Sequence, residues 1–492
     1  MTIQAETFFL ATLGCKVNQY ESHALREAWL RSGLTESADP ASADLILVNS
    51  CAVTAKAVAD VRATVRRMHR AAPLARILVT GCAAQVMASE LASLPGVEAV
   101  MDQEEKARLF SGPPTLVLPQ SPAPDFLDAT PAAGLNCHAA LHDPQSNTGS
   151  RAGRSWRVWA EPTYGSDGFD TIPTTRAYPA FAVSGYDRSR AVLKIQDGCS
   201  HGCTYCIVPQ ARGRACSREP GEVLEEARRL LDAGFREIVV SGVNLRQYWY
   251  SAKDCKGDFW NLLAYLDAEL SPEWGSKARL RLSSLEPGQL GAKALEVIAD
   301  CGMVAPHIHL SLQSGSPSVL RRMGRGHYDP ARLPDFFAAL GGIWPVFGLG
   351  ADILTGFPGE TEDEFREGFS LCETLPLTYA HVFPYSKRPG TRAAAMQDQV
   401  AADVKKARAA GLRGMVMAKK SHFLQSLLTL PVMRVAFEDR EHGKNSASLR
   451  GVNEYYADCR INVQTGTRLA LRELVPVRVL GVENGELTVD TR

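Results

Sequence analysis

Three cysteines share one short loop of this sequence. Cys199, Cys203 and Cys206 lie in GCSHGCTYC, directly after the apolar run AVLKIQ. Three thiolates can hold three irons of a cubane iron–sulfur cluster and leave the fourth open to a ligand with an amine and a carboxylate. A structural zinc site is the alternative, but it prefers four ligands, and the available fourth ligand is His201 or Cys216. The spacing and the position after a strand favour the iron–sulfur cluster.

Three further cysteines have equivalent surroundings although they are far apart in sequence. Cys15, Cys51 and Cys82 end the segments TLGC, VNSC and VTGC, each at the end of an apolar run and before a helical pattern. In a parallel sheet all carboxyl ends meet at one edge, so the three thiols can converge on a second cluster. Because the sequence does not give the strand order, three independent core thiols remain the alternative.

These cysteines need a scaffold of alternating strands and helices. Apolar runs at 8–13, 45–48 and 76–80 are each followed by a helical pattern, which predicts a parallel α/β domain over residues 6–110. Six further strand-like runs with intervening helices, between residues 185 and 420, predict a partial (βα)6 barrel. The strand-like runs are at 191–196, 237–242, 280–285, 307–312, 348–356 and 381–385.

The rest of the chain divides into an insert and a terminal module. Residues 111–182 are rich in proline, serine and glycine and have little periodicity, which is typical of a loop or disordered insert. Residues 423–492 contain short strand patterns and predict a small β-barrel. The overall fold class is therefore α/β with a C-terminal β-barrel.

Bulk composition excludes some partners. The 54 basic and 54 acidic side chains of the 492 residues balance, so any nucleic-acid binding must be local. The start MTIQAETFFLATLGC has no basic leader, and no apolar run reaches the roughly 18 residues of a membrane span. We expect a cytoplasmic protein without membrane or DNA partners.

The motifs together resemble the methylthiotransferase family of radical S-adenosylmethionine (SAM) enzymes. The resemblance rests on TLGCKVNQYES, NSCAVT, TGCAAQ, VLKIQDGCSHGCTYCIVPQARG, SGVNLRQY, HIHLSLQSGS, DILTGFPGETEDEF and HVFPYSKRPGT. It implies two [4Fe–4S] clusters, one on each cysteine set, with SAM bound at the Cys199, Cys203 and Cys206 cluster. It also implies sulfur insertion at an unactivated carbon, methyl transfer from a second SAM, and an electron donor such as flavodoxin or ferredoxin. The terminal module resembles the small RNA-binding TRAM barrel of this family.

The finer motifs favour one branch of the family. Lys16, Val17 and Asn18 resemble the branch that acts on threonylcarbamoyladenosine next to the tRNA anticodon, as does HVFPYSKRPGT. The isopentenyladenosine branch has a Gln-Met-Asn version of the first motif, and the branch that modifies a ribosomal-protein aspartate has Pro-Lys-Asn. Those two substrates are the alternatives within the class, and a non-catalytic iron–sulfur RNA-binding or electron-transfer protein is the alternative outside it.

Two further groups of residues are candidates for binding. Polar residues at or near strand ends can contact the cofactor, although they can equally cap helices. With the aromatic residue before the last loop cysteine, these cofactor candidates are Tyr205, Ser241, Glu286, Gln313 and Asp352. Basic runs at 404–420, 62–70 and 321–325 can bind RNA phosphates, and solvated helix faces are the alternative.

Overall fold

The computed structural model describes residues 6–113, 183–186, 188–252, 255–438, 448–462 and 471–491. Most of the predicted insert, residues 114–182, lies outside the described residues. Within the described ranges, no helix is both long enough and apolar enough to cross a bilayer.

The N-terminal part is a five-stranded parallel sheet flanked by helices. Its strands are arranged in the order β2-β1-β3-β4-β5. Leu45 and Leu47 of β3 pack on one face, and Ile46 and Val48 pack on the other, as a strand buried on both sides requires. The elements are β1 (Thr7–Thr12), α1 (Lys16–Arg31), β2 (Thr35–Glu36), β3 (Leu45–Ser50), α2 (Ala55–Ala71), β4 (Arg76–Gly81), α3 (Cys82–Val86), α4 (Ala88–Ala92), β5 (Val97–Val100) and α5 (Gln103–Leu109).

The central part is an open barrel, and its first half is built on β6. This half consists of β6 (Arg190–Asp197), α6 (Val208–Arg212), β7 (Cys216–Ser217), α7 (Pro220–Asp232), β8 (Glu237–Gly242), β9 (Trp249–Ala252), β10 (Cys255–Asp258), α8 (Phe259–Trp274), β11 (Arg279–Leu282) and α9 (Ala292–Asp300). Strands β6, β8 and β11 pair in parallel, and β7 pairs antiparallel with β6. The sequence does not predict the β9–β10 hairpin, because YWYSAKDCKGD lacks an alternation of apolar and polar residues.

The second half continues the parallel order. It consists of β12 (His307–Gln313), α10 (Pro317–Arg322), α11 (Leu333–Ile343), β13 (Gly348–Thr355), α12 (Glu362–Thr374), β14 (Tyr379–Pro384), α13 (Arg392–Ala395) and α14 (Ala402–Ser426). Strands β12, β13 and β14 pair in parallel, and bridges Leu280–Val304 and Leu285–Leu310 connect the two halves. The predicted six-stranded open barrel is confirmed.

The C-terminal part is a closed five-stranded barrel with the strand order β15-β16-β17-β19-β18. Its strands are β15 (Met433–Glu438), β16 (Ser448–Val452), β17 (Asp458–Asn462), β18 (Leu474–Glu483) and β19 (Glu486–Asp490). The small β-barrel is thus confirmed. The boundary that we predict near 420–423 falls inside the continuous helix α14, so α14 carries the chain from the open barrel into the closed one.

The closed barrel covers the amino end of the open barrel. Arg279 donates to the carbonyl oxygen of Arg434 at 2.7 Å, and Arg281 donates to that of Asn453 at 2.8 Å. Tyr456 stacks on His307, with ring centroids 4.6 Å apart. At the carboxyl end, where barrel enzymes place their active sites, the segment after β6 packs against α3 of the N-terminal part through Ile207 and Ala211.

Candidate active site

The loop that carries Cys199 is shaped by the end of β6. The Asp197 carboxylate accepts a hydrogen bond from the Gly198 N–H at 2.7 Å, and Gln196 Nε2 donates to the Gly198 carbonyl at 2.9 Å. Gly198 has a φ of +68°, and a Cβ there would overlap the carbonyl oxygen of Arg214. Only glycine therefore fits this turn without strain.

Each sulfur of this loop has a hydrogen-bond donor directed at it. The Val208 nitrogen lies 3.4 Å from Cys206 Sγ. Asn244 Nδ2 lies 3.9 Å from Cys199 Sγ, and Arg325 Nη1 lies 3.9 Å from Cys203 Sγ. Burial raises the pKa of Cys199 to about 11 and that of Cys206 to about 12. Three half-buried thiols with donors to sulfur fit an iron–sulfur cluster, since bound iron holds such thiols as thiolates and donors stabilise their charge.

The structure brings the other three cysteine loops to one edge, because β1, β3 and β4 are neighbours in the sheet. Cys15 precedes α1, Cys51 follows β3 and Cys82 begins α3. A Cβ on Gly14 would lie 2.6 Å from Cys51 Cβ, so the first two loops are in contact. The convergence that we predict is therefore observed, while iron ligation by these thiols stays a prediction.

Hydrogen bonds fix these loops to one another. Asn18 Nδ2 donates to the carbonyl oxygens of Leu13 at 2.8 Å and Ser50 at 2.9 Å. Ser50 Oγ donates to the carbonyl of Thr80 at 2.5 Å and accepts from the Ala84 N–H at 3.3 Å. Asn18 and Ser50 thereby join the three strand ends that carry the cysteines.

A buried charge network connects the two cysteine sets. Arg212, at the end of α6, donates to Glu21 at 2.8 Å and to Asp197 at 3.0 Å. Lys194 donates to the same two carboxylates at 2.7 and 2.8 Å. Burial opposes ionisation of Glu21, but Arg212, Lys106 and Lys194 hold its pKa well below its usual range.

Arg212 also acts on the second cysteine set. Burial raises the pKa of Cys82 to about 11, and Arg212 is the largest influence that lowers it; Arg212 also lowers the pKa of Cys51. One guanidinium therefore bonds to the carboxylate that shapes the Cys199 loop and stabilises charge on the sulfurs of the other set. No local sequence pattern predicts this role for Arg212, which stands in QARG shortly after the cysteine loop.

The candidates at the strand ends occupy different places. Glu286 is buried beside the Cys199 loop and contacts His327 at 2.8 Å, while Tyr205 packs beneath that loop against Phe357. Ser241 is buried on β8, and Gln313 ends β12 with a φ of +62°. Asp352 lies deeper in the barrel lumen, paired with His309 at 3.2 Å. Cofactor binding by all five stays a prediction.

The basic runs are only partly available to RNA. In the 404–420 run, Arg408 pairs with Glu360 at 2.7 Å and Lys419 donates to backbone carbonyls at the end of α12. Arg413 and Lys420 also bond within the chain. On α2, by contrast, Arg66 and Arg67 are exposed. The structure therefore favours α2 over α14 as an RNA-binding surface.

Comparisons with known proteins agree with this geometry. Residues 7–102 match the family described as uncharacterized protein family UPF0004, and residues 193–372 match the radical SAM superfamily. A threonylcarbamoyladenosine tRNA methylthiotransferase of Bacillus subtilis (strain 168) is 34% identical over 81% of this chain and 77% of its own length. The chain belongs to the radical SAM methylthiotransferase family. Methylthiotransferases of this kind use SAM and two [4Fe–4S] clusters.

Other relatives of this methylthiotransferase are named for different substrates. The Thermotoga maritima threonylcarbamoyladenosine tRNA methylthiotransferase is 31% identical over 83% of this chain and 80% of its own length. The Agrobacterium fabrum tRNA-2-methylthio-N(6)-dimethylallyladenosine synthase is 29% identical over 96% and 94%. Among solved structures, the radical SAM methyltransferase TsrM of Kitasatospora setae has a TM-score of 0.51 at 16% identity and covers 79% of this chain and 75% of its own. That likeness supports the fold.

Proposed function

We propose that this methylthiotransferase replaces the C2 hydrogen of N6-threonylcarbamoyladenosine, next to the tRNA anticodon, with a methylthio group. The observation that carries the proposal is the placement of two three-cysteine sets on either side of one buried network around Arg212. The relatives from Bacillus subtilis and Thermotoga maritima are named for this substrate, which supports the choice of branch. The enzyme would act in the cytoplasm, with a flavodoxin or ferredoxin as electron donor.

The two cysteine sets and the residues around them have different roles in the proposed reaction. Cys199, Cys203 and Cys206 would hold the cluster whose electron cleaves SAM, and Cys15, Cys51 and Cys82 would hold the cluster that is the source of sulfur. Asn244 and Arg325 stabilise charge on the first set of sulfurs, and Arg212 on the second. The closed barrel covers the amino end of the open barrel, so the carboxyl end is the side from which we expect substrate to approach.

Nucleoside analysis of tRNA tests the proposal. In a strain that lacks this gene, we expect methylthio-threonylcarbamoyladenosine to disappear and threonylcarbamoyladenosine to accumulate, while methylthio-isopentenyladenosine is unchanged. Wild-type enzyme should restore the modification and a Cys203→Ala variant should not. Loss of methylthio-isopentenyladenosine would assign the enzyme to the isopentenyladenosine branch. Loss of the methylthio group from a ribosomal-protein aspartate, with the tRNA nucleosides unchanged, would assign it to the ribosomal-protein branch.

A further inference from the structure

The chain that leaves the last strand of the open barrel lies beside the Cys199 loop. This stretch, residues 383–392, is called the rim segment below. Arg392 donates a hydrogen bond to the carbonyl oxygen of Gly202, which lies in the Cys199 loop. Gln210 Nε2, on α6, donates to the carbonyl oxygen of Gly390 at 2.8 Å. The rim segment is therefore fixed at the carboxyl end of the barrel, in contact with the radical SAM loop and with α6.

Arg388, in the rim segment, is a buried arginine without an ion pair. Seven arginines are buried in the described ranges, and the other six each pair with a carboxylate at 3.1 Å or less. Those six are Arg212, Arg218, Arg279, Arg281, Arg325 and Arg408. Arg388 is 7% exposed, and its Nε has no hydrogen-bond partner among the described residues. A desolvated cation is costly unless a ligand supplies the opposite charge, so this position favours an anion.

The charge around Arg388 has one sign along the chain. The rim segment also carries Lys387 and Arg392, both exposed, and residues 379–397 contain no aspartate or glutamate. A guanidinium matches the geometry of a phosphate group, and neighbouring cations strengthen the attraction to a nucleic-acid backbone. The rim segment is therefore complementary in charge to a phosphate of RNA.

Phe383 adds an exposed aromatic ring at the start of the rim segment. It shares one face of β14 with His381, two residues earlier, and the centroids of the two rings are 6.3 Å apart. Val382, between them, belongs instead to the apolar core beneath the helices. Phe383 is 46% exposed although it lies near the carboxyl end of the strand, where barrel enzymes bind substrate. An exposed ring next to cations is the combination that binds unpaired bases and their phosphates.

We propose that the rim segment holds the tRNA nucleotide that carries the reacting adenine: Phe383 stacks on the base, and Arg388 binds a phosphate that flanks it. This inference rests on the proposed function and deepens it, because it names side chains that would hold the base beside the Cys199 loop. Proteins recognise single-stranded RNA loops in this way, by stacking unpaired bases on aromatic rings.

Neutralising single phosphates of the RNA tests the role of Arg388. The probes are anticodon stem-loop RNAs with N6-threonylcarbamoyladenosine, in which each loop phosphate is replaced in turn by an uncharged methylphosphonate. We expect reconstituted wild-type enzyme to lose affinity about tenfold when one phosphate next to the modified nucleotide is replaced. Arg388→Gln should bind the unmodified backbone about tenfold more weakly and should not respond to that replacement. Arg229→Gln, which removes an exposed cation of α7, should retain the wild-type pattern.

Removing the base from the RNA tests the role of Phe383. Phe383→Leu keeps an apolar side chain but removes the flat ring, so we expect it to bind the stem-loop about tenfold more weakly than wild type. Phe383→Trp, which keeps an aromatic face, should bind as tightly as wild type. With a stem-loop that lacks the base at the modified position, wild type and Phe383→Leu should bind equally.

The outcomes separate this inference from the proposed function. If wild type and Arg388→Gln respond equally to every methylphosphonate, or if Phe383→Leu binds the RNA as wild type does, the proposal is wrong. Because the rim segment contacts the Cys199 loop, iron content is measured for each variant. Should Arg388→Gln lose iron, the exposed Phe383 decides. If wild-type enzyme binds this RNA without methylthiolating it, the proposed function fails, and the binding results still decide whether the rim segment holds the nucleotide.

Discussion

At the scale of single residues, the radical SAM loop depends on one backbone conformation. Gly198→Ala forces a side chain into a positive-φ position and against the carbonyl of Arg214, and the backbone strain alone costs about 1–3 kcal/mol. We expect this variant to lose the iron held by Cys199, Cys203 and Cys206 and to form no 5′-deoxyadenosine from SAM. Gly302→Ala is the control, because a Cβ there meets no atom within 4 Å. Full iron content in Gly198→Ala would show that the loop tolerates a side chain at position 198.

The sequence predicts the residues that bear the chemistry better than those that support them. Cys199, Cys203 and Cys206 follow from local spacing, because three thiols in one loop after a strand have few other uses. Arg212 and Arg325 do not follow from any local pattern. Arg212 contacts Glu21, which is 191 residues away in sequence, and Arg325 contacts Cys203, which is 122 residues away. Such contacts depend on how helices and strands pack together, and the spacing of residues along the sequence does not predict that packing.

At the scale of elements, α1 is attached to β6 and α6 by buried charges. Glu21 of α1 contacts Lys106, Lys194 and Arg212, all buried. Glu21→Gln leaves these three cations with too little negative charge, and breaking such a buried ion pair typically costs about 3–5 kcal/mol. We expect a clear fall in the thermal unfolding midpoint. Glu104→Gln, on the exposed side of α5, should leave the midpoint within error; equal midpoints for both variants would show that the network contributes little.

The sequence predicts the second cysteine set only on the condition that three particular strands are neighbours in the sheet. The strand–helix alternation of the first hundred residues gives the parallel sheet, but the convergence of Cys15, Cys51 and Cys82 needs β1, β3 and β4 to be neighbours. That order comes from pairing in three dimensions. Likewise, the helical pattern that follows the apolar run at 76–80 covers residues 84–93 and predicts one helix, whereas the structure has two short helices that meet at Met87.

At the scale of the whole molecule, Glu237 stabilises the attachment of the closed barrel. It pairs with Arg279 and Arg281, and these two arginines donate to backbone carbonyls of the closed barrel. Burial opposes ionisation of Glu237, yet Arg279 and Arg281 hold its pKa far below the usual range. A carboxyl with a lowered folded-state pKa adds stability above its unfolded pKa of about 4.3 and loses it as the pH falls further. Glu237→Gln should therefore lower the unfolding midpoint at pH 7, and the difference from wild type should shrink below about pH 4.3. If the difference in unfolding midpoint between wild type and Glu237→Gln does not change with pH, the charge of Glu237 is not the source of the stabilisation.

The tRNA surface is also a property of the whole molecule. Arg66 and Arg67 are exposed on α2, the helix that follows Cys51. We expect Arg66→Gln with Arg67→Gln to weaken tRNA binding and to reduce the slope of log affinity against log salt by about 1.5. The double variant Arg229→Gln with Lys277→Gln removes two exposed cations elsewhere and should leave that slope unchanged.

The positions of the six cysteines predict that this fold holds two separate iron–sulfur clusters. Iron and sulfide content with Mössbauer spectra, on anaerobically reconstituted enzyme, tests it most directly. A triple Ala variant of Cys15, Cys51 and Cys82 is compared with wild type and with a triple Ala variant of the buried thiols Cys301, Cys372 and Cys459. We predict about eight irons in wild type and in the buried-thiol variant, and about four, still forming one cubane, in the first variant. About four irons in all three proteins would show that Cys15, Cys51 and Cys82 hold no cluster.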